Sequence, residues 1–300
     1  MRSSTVINAM TIDVEDYYQV SAFENVVQKK SWSTMESRVQ DNTHHILDIF
    51  NKHNISATFF VLGCVAKRFP DLVRRIVENG HELASHGYEH IRVTTQKPAE
   101  FRQDIIRTKK LLEDNSGVPV IGYRAASYSI GAENLWALDE LFDTGHIYSS
   151  SIYPIKHDLY GMPSAPRYSF RPRGDGGILE IPVTTIELFG KRIPCGGGGF
   201  FRLYPYMFSK WALSTVNIKE KKSGLFYFHP WEIDPEQPRP DGVGIKTRFR
   251  HYVNLRRMEG RILCLLRDFQ WGRMDKIFLS DVSVPGYSKS VPSISEQGKS

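Results

Sequence analysis

Two histidines in the stretch SHGYEH, residues 85–90, have the spacing of a shared metal site. His86 and His90 are four positions apart, and on a helical turn this spacing would place both imidazoles on one face. Imidazole nitrogens are common ligands of divalent ions such as zinc. The stretch follows the apolar run HELAS, which is typical of a short strand, and α/β proteins place their chemistry where strands end. The rest of the chain must supply an acidic ligand, a base and an acid.

Three other predicted strands also end in polar residues. The apolar run over residues 6–14 ends in the acids of IDVED, GYRAAS carries Arg124, and FYFHPW carries His229. Each signal is weak alone, because an acidic cluster is more often a solvated cap and a lone histidine in an aromatic strand is more often a core residue. In a parallel barrel, however, all strand ends open on one face. Their joint placement therefore favours one site.

The alternation of apolar runs with amphipathic segments predicts βα units and an α/β fold. No GxGxxG follows the first strand, so a dinucleotide site has no support. A closed or slightly open barrel of about seven parallel strands fits better than a flat doubly wound sheet. The strands are predicted at residues 6–14, 57–63, 81–87, 120–128, 147–154, 177–185 and 224–234, and the main helices at 43–52, 70–80, 99–114, 133–142, 206–219 and 247–267.

Composition excludes several classes of protein. The 300 residues are 41% hydrophobic, enough for a sizeable core, and we find neither an internal repeat nor an apolar run that could cross a bilayer. The three cysteines lie far apart, which favours free thiols over disulfides or a structural zinc site. The net charge of +6 is scattered among acids, so no nucleic-acid partner is expected. The first residues do not resemble a secretory signal, which predicts a cytoplasmic location.

Four motifs in order carry a family resemblance. TIDVED, SHGYEH, GYRAASYS and YFHPWE resemble the successive motifs of the NodB-homology polysaccharide deacetylases, over roughly residues 8–235. DVEDYYQVSAFE, SIYPIKHDLYG, GGGGFFRLYPY and FRHYVNLRRMEGR further resemble a subgroup found with bacterial exopolysaccharide biosynthesis loci. The resemblance implies a distorted (β/α) barrel with the active site at the C-terminal face of its strands. It also implies one domain over residues 1–280, with a helical extension from about residue 235. The Ser- and Pro-rich composition of residues 281–300 predicts a disordered tail.

The resemblance also implies roles for individual residues. A divalent metal, taken to be zinc, would be held by His86, His90 and one carboxylate. Asp13 would be the general base, Arg124 would pair with it and keep it ionised, and His229 would be the acid that protonates the leaving amine. The backbone N–H near Ser127 would help to stabilise the oxyanion.

The chain departs from the family pattern at three positions. The usual adjacent aspartates are replaced by Asp13-Val14-Glu15-Asp16. Strand alternation places Asp13 and Glu15 on one face and so favours Glu15 as the acidic ligand, whereas a bulge would present Asp16 instead. Ala126 stands where the arginine motif usually has proline. Ser149 stands where relatives often carry an aspartate, which would weaken the support of His229.

Several further side chains are candidates for substrate binding. The rings of Tyr128 and Trp231 lie near the motifs and could stack on sugar faces, with ordinary packing as the alternative. His157 is expected to line the cleft. The run GGGG at 196–199 lacks a following GK[ST] and is expected to be a flexible loop rather than a phosphate cradle.

The predicted function is that of a hydrolase that removes N-acetyl groups from N-acetylhexosamine units of a bacterial polysaccharide or its precursor. The partners expected are an N-acetylated glycan and the exopolysaccharide synthesis machinery. Two alternatives stay open. One is a hydrolase of another non-peptide amide, such as a cyclic imide or ureide, and the other is a non-catalytic barrel that binds glycan, for which Ala126 and Ser149 are the motivation.

Overall fold

The computed structural model of the protein describes residues 6–158 and 160–280, so the tail predicted at 281–300 lies outside the described residues. The strands are β1 (Ile7–Val14), β2 (Thr58–Val61), β3 (Glu82–Ser85), β4 (Gly122–Tyr123), β5 (Tyr148–Ser149), β6 (Leu179–Glu180), β7 (Thr185–Leu188), β8 (Lys191–Pro194), β9 (Leu225–Phe228) and β10 (Gln270–Gly272). The α-helices are α1 (Val39–Lys52), α2 (Gly63–Arg68), α3 (Pro70–Glu78), α4 (Pro98–Ser116), α5 (Trp136–Asp143), α6 (Gly198–Leu203), α7 (Tyr206–Ser214), α8 (Ile245–Tyr252), α9 (Leu255–Asp268) and α10 (Met274–Phe278).

One curled parallel sheet organises these elements. Seven strands follow the order β10-β1-β2-β3-β4-β5-β6, and β9 pairs with β1 off this path. Every pair in the sheet is parallel, while β7 and β8 form a separate antiparallel hairpin. The helices that connect the strands supply the covering layer that a parallel sheet needs. The predicted distorted barrel of about seven parallel strands is confirmed, in the form of a curled half-barrel.

Strand β1 is the centre of the sheet. Apart from its first residue it is buried on both faces, as expected for a continuous apolar run in a parallel sheet. It pairs with β9 along one edge, and along the other edge with β10 at its start and with β2 at its end. Because parallel strands all end on one side, the residues that follow β1, β3, β4 and β9 meet at one end of the barrel.

The glycine run at 196–199 closes part of the gap between β6 and β9. The Gly196 N–H donates to the carbonyl of Thr184 at 3.1 Å, and the Gly196 carbonyl accepts from the N–H of Tyr227 at 2.8 Å. A Cβ added at Gly197 would meet the ring of Tyr227. The prediction of a flexible loop is therefore wrong here, since the glycines allow the chain to lie directly against β9.

The C-terminal helical extension is divided rather than continuous. The helix predicted over residues 247–267 is interrupted after α8 at Asn254, which has a φ of 55°, and α9 then runs on to Asp268. The short strand β10 follows and joins the main sheet beside β1, so the extension is anchored in the barrel. None of the helices in the described part of the chain is long and apolar enough to cross a bilayer.

The core behind the sheet is aromatic, and Phe59 tests how much it contributes. Phe59 of β2 is fully buried, with its ring centroid 4.9 Å from that of His81 and 6.3 Å from that of Phe50. We expect Phe59→Ala to lower the free energy of unfolding by about 3–5 kcal/mol, through lost burial and a residual cavity. Chemical denaturation followed by circular dichroism measures this loss.

The matched control is Phe142→Ala, because the Phe142 side chain is 50% exposed. This control should change the free energy of unfolding by less than about 0.5 kcal/mol. An equal loss in both variants would contradict the assignment of Phe59 to the core.

Candidate metal centre and active site

A buried ion pair lies at the end of β1. Arg124 Nη1 donates to Asp13 Oδ1 at 2.5 Å and to Thr11 Oγ1 at 2.9 Å. The remaining guanidinium nitrogens donate to the carbonyl and hydroxyl oxygens of Ser150 at 3.3 and 3.1 Å. Both charged side chains are buried, and a buried charge needs this degree of pairing. The predicted partnership of Arg124 with Asp13 is therefore present in the fold, with the carboxylate held in one orientation.

The two histidines of SHGYEH converge, but not on a helical turn. Residues 86–90 form an irregular loop after β3, with left-handed backbone at Gly87 (φ 73°) and His90 (φ 52°). The prediction of a helical turn is wrong, because the loop is held instead by Asp104 of α4, whose carboxylate accepts from the Tyr88 N–H at 3.2 Å. The imidazole centroids still lie 5.3 Å apart. A left-handed histidine is costly and is typical of a functional site.

The tautomer of His86 is set by the backbone. Its Nδ1 lies 2.8 Å from the carbonyl oxygen of Arg124, and because a carbonyl only accepts, Nδ1 must carry the proton. The Nε2 lone pair is then free to bind a metal, which is the arrangement seen for metal-ligating histidines. Burial lowers the pKa of His86 to about 4, so the imidazole is neutral near pH 7.

Glu15 and Asp16 separate in the structure. Side-chain atoms of Glu15, His86 and His90 that could ligate one ion all lie within 4.8 Å of one another. Asp16 points elsewhere: its Oδ2 accepts from the Ser37 hydroxyl at 2.7 Å, and its carboxylate accepts from the N–H groups of Arg38 and Val39, where α1 begins. Asp16 thus satisfies N–H groups left open by the first turn of the helix. The alternative of Asp16 as the acidic ligand is wrong.

The donor set of this cluster fits a zinc-like ion. Burial would raise the pKa of Glu15, but His90 and His229 lower it to about 2, so the carboxylate is ionised. Glu15 Oε2 lies 2.9 Å from His90 Nε2, yet within the described residues this oxygen has no aligned hydrogen-bond partner. The ligand atoms of Glu15 and His90 lie close enough to bind the same ion. Two imidazoles and one carboxylate also leave a coordination position open, as catalytic zinc requires.

His229 faces this cluster from β9. Its Nε2 lies 3.5 Å from Glu15 Oε1, and its Nδ1 lies 2.8 Å from Glu232 Oε1. Burial would lower the pKa of His229, but the two carboxylates raise it to about 9. Ser149, by contrast, hydrogen-bonds Ser151. The predicted weakness in the support of His229 is wrong, because Glu232 provides that support.

The predicted sugar-stacking rings are covered. Trp231 lies between two imidazoles, with centroids 5.1 Å from His229 and 4.1 Å from His251, nearly parallel to both. Its Nε1–H donates to Glu15 Oε1 at 3.4 Å. Stacking of a sugar on Trp231 is therefore excluded in this structure, and the indole instead braces His229 and Glu15. Tyr128 is likewise buried, 4.9 Å from the ring of Tyr227, so its proposed stacking is also wrong.

The other two candidates have local partners. Ser127 has left-handed backbone (φ 52°), and its hydroxyl donates to that of Ser21 at 2.8 Å; its backbone N–H as an oxyanion donor stays a prediction. His157 stacks on Tyr160 at 4.0 Å and lies 3.1 Å from Asp158. Tyr160 in turn contacts Tyr128, so His157 lies behind this tyrosine layer, and a place in the cleft stays a prediction.

Sequence reasoning missed two groups that hold the site. Glu232 was detectable, since it stands three residues after His229 in HPWE, the spacing of an N-terminal capping box. Glu180 of β6 was not detectable: it accepts from the N–H groups of Ser151 and Ile152, both at 2.7 Å. That bond holds the segment on which Arg124 rests, and only the fold brings these residues together.

Two family models match successive parts of the chain. Residues 24–141 match the model described as polysaccharide deacetylase. Residues 150–279 match a model described as a domain of unknown function, DUF3473. Asp13 and Glu15 precede the first matched range, whereas His229 lies in the second.

Individual relatives agree with the first of these models. A peptidoglycan-N-acetylglucosamine deacetylase of Bacillus cereus is 40% identical over 174 residues, covering 55% of this chain and 63% of the relative. A chitooligosaccharide deacetylase of a Bradyrhizobium species is 30% identical over 95 residues, covering 32% of this chain and 43% of the relative. The chain therefore spans less than two thirds of the length of either curated relative.

A solved structure supports the fold. The crystal structure of a candidate polysaccharide deacetylase from Mycobacterium smegmatis superimposes with a TM-score of 0.60 at 20% identity, over 92% of this chain and 90% of the other. At this identity the likeness concerns the fold alone. It agrees with the curled parallel barrel described above.

The separation of Glu15 from Asp16 predicts opposite phenotypes for two conservative variants. Glu15→Gln should lower the affinity for Zn²⁺ by more than about 100-fold, since loss of an outer partner alone costs 10- to 100-fold. Asp16→Asn should retain the affinity but lower the free energy of unfolding by about 1 kcal/mol, the usual contribution of a helix cap. Competition with a chelating dye and chemical denaturation measure the two effects. Loss of zinc binding in Asp16→Asn alone would refute the assignment.

Proposed function

Because the chain is a homologue of polysaccharide deacetylases, we propose that it is a metal-dependent hydrolase that removes acetyl groups from N-acetylhexosamine units of a bacterial polysaccharide or its precursor. One observation carries the proposal. The Asp13–Arg124 pair, the cluster of Glu15 with two histidines, and His229 meet at one end of the barrel.

An N-acetyl amide is unreactive, so its hydrolysis needs an activated water, a polarised carbonyl and a protonated leaving amine. Glu15, His86 and His90 would hold the divalent ion, taken to be zinc. When bound, such an ion lowers the pKa of a water molecule and polarises the acetyl oxygen. The three side chains would hold the ion beside Asp13 and His229.

The proton transfers fall to the remaining groups. Asp13, held by Arg124 at 2.5 Å, takes a proton from the attacking water. His229 presents Nε2 on the side of Glu15 and donates a proton to the departing amine. The backbone N–H of Ser127 would stabilise the negative charge on the acetyl oxygen. The products are acetate and a free amino sugar, which balances the one water consumed.

The substrate class follows from two kinds of similarity. The relatives named above act, by their descriptions, on N-acetylglucosamine of peptidoglycan and on chitooligosaccharides. Both are N-acetylhexosamine polymers, and peptidoglycan is therefore a candidate beside the exopolysaccharide indicated by the subgroup motifs. We propose action on a cytoplasmic or lipid-linked glycan in association with synthesis enzymes. Recovery of the native protein in the periplasm would overturn that location.

The catalytic proposal predicts release of acetate from N-acetylglucosamine oligomers. Activity should be abolished by a chelator, restored by Zn²⁺, and reduced about 10²–10⁴-fold in Asp13→Asn, which is the usual contribution of a general base. His86→Ala should lose both metal and activity. An enzyme-coupled acetate assay measures each effect.

The matched control is His45→Ala, because His45 is exposed and contacts Glu259 on the surface. It should retain full activity. A metal-loaded protein that releases no acetate from peptidoglycan, chitin oligomers or acetylated exopolysaccharide would refute the function, and a screen with cyclic imides would then test the other amide substrates.

A further inference from the structure

The imidazole of His229 is held from the side opposite the metal cluster. Glu232 Oε1 lies 2.8 Å from His229 Nδ1 and also accepts from the His229 backbone N–H at 3.1 Å. A carboxylate oxygen only accepts, so Nδ1 carries a proton. The same bond turns Nε2 toward Glu15, 3.5 Å away. One side chain therefore sets both the tautomer and the direction of His229.

Glu232 is in turn fixed by a buried arginine. Its Oε2 accepts from Arg202 Nε at 2.6 Å, and both side chains are almost fully buried. Arg202 Nη1 donates to the carbonyl oxygens of His251 and Val253 at 2.7 and 2.9 Å, and Nη2 donates to that of Arg250 at 3.3 Å. These carbonyls lie at the end of α8, where the helix leaves them unpaired. A guanidinium with this many fixed acceptors holds the carboxylate in a single position.

The glycine run makes this approach sterically feasible. A Cβ added at Gly198 would collide with the Glu232 carboxylate. Gly198 is the first residue of α6, the helix that carries Arg202. A glycine at this position therefore lets α6 lie close enough for the guanidinium to reach Glu232. From the sequence alone, the glycine run at 196–199 predicted only a flexible loop.

We propose that Glu232, held by Arg202, is a positioning residue for His229: it keeps the Nδ1 proton in place so that the proton on Nε2 is the one delivered to the leaving group. The inference rests on the proposed function for the role of His229 as acid. The contacts among His229, Glu232 and Arg202 do not depend on that function. Arg202 and Glu232 both belong to the region matched by the domain of unknown function, which here supplies the support for the acid.

Glu232→Gln is the decisive variant because it preserves shape. The buried Arg202 demands an oxygen, so the amide should turn its NH₂ toward His229 and leave the Nδ1 proton without an acceptor. The kcat for acetate release from an N-acetylglucosamine oligomer should fall about 10²-fold with little change in KM, while hydrolysis of an activated aryl acetate, whose leaving group needs no proton, should fall by less than about tenfold. Equal losses on both substrates would overturn the inference.

A second readout is independent of catalysis. In the metal-free protein labelled with ¹⁵N-histidine, His229 should show a protonated Nδ1, and Glu232→Gln should remove this signature; His229→Gln assigns the signal. An unchanged His229 spectrum would overturn the inference. A wild-type protein that hydrolyses neither substrate would refute the proposed function, while the spectrum would still decide the positioning.

Two further variants control for folding. Gly198→Ala keeps all three polar side chains but crowds Glu232, and it should shift the His229 signal and lower kcat on the amide in the same direction as Glu232→Gln. Glu236→Ala removes a nearby carboxylate that is exposed and paired with Arg256 on the surface, and it should change neither readout. Loss in the Glu236 control would show a general effect and contradict the inference.

Discussion

The rest of the site depends on one interaction, the ion pair between the fully buried Arg124 guanidinium and Asp13. A charge removed from water needs hydrogen-bond partners, and Arg124 makes four hydrogen bonds, to Asp13, Thr11 and Ser150. Its own carbonyl then accepts from His86. Four neighbouring segments must be in register for these bonds to form together, and a shift of one residue would turn the polar side chains to the other face. The geometry of the site therefore requires the correct register of the sheet.

A second set of charges extends outward from this pair. Acidic and basic groups alternate through space in the order His90, Glu15, His229, Glu232 and Arg202. Burial would raise the pKa of Glu232, but Arg202 and His229 lower it to about 2, so the carboxylates on both sides of His229 are ionised near pH 7. A positive imidazolium between two anions is stabilised by both. Glu15 therefore contacts both His90 of the candidate metal cluster and His229, and it links these two parts of the site.

Residue type and order predicted the barrel and the convergence of its strand ends, because parallel topology forces strand ends together whatever their sequence separation. The pairing of Asp13 with Arg124 was implied by the family resemblance, and the contact is present in the structure. What failed was local geometry. Strand alternation favoured Glu15, but setting Asp16 aside needed the position of α1, whose first N–H groups occupy Asp16. Trp231 is buried because α8 brings His251 against the indole. No residue spacing near Trp231 predicts that contact.

The boundary between the two matched regions does not divide the site. The range matched by polysaccharide deacetylases contains both candidate histidine ligands and Arg124, whereas Asp13 and Glu15 precede it. The range matched by the domain of unknown function contributes β6 and β9 to the same sheet, together with His229 and the arginine and glutamate that hold it. Strand β9 pairs directly with β1, so separating the regions would expose one edge of the buried strand β1 and remove the proposed acid, His229. The second region is therefore best understood as the completing half of one barrel, because neither half contains all the groups that the proposed hydrolysis requires.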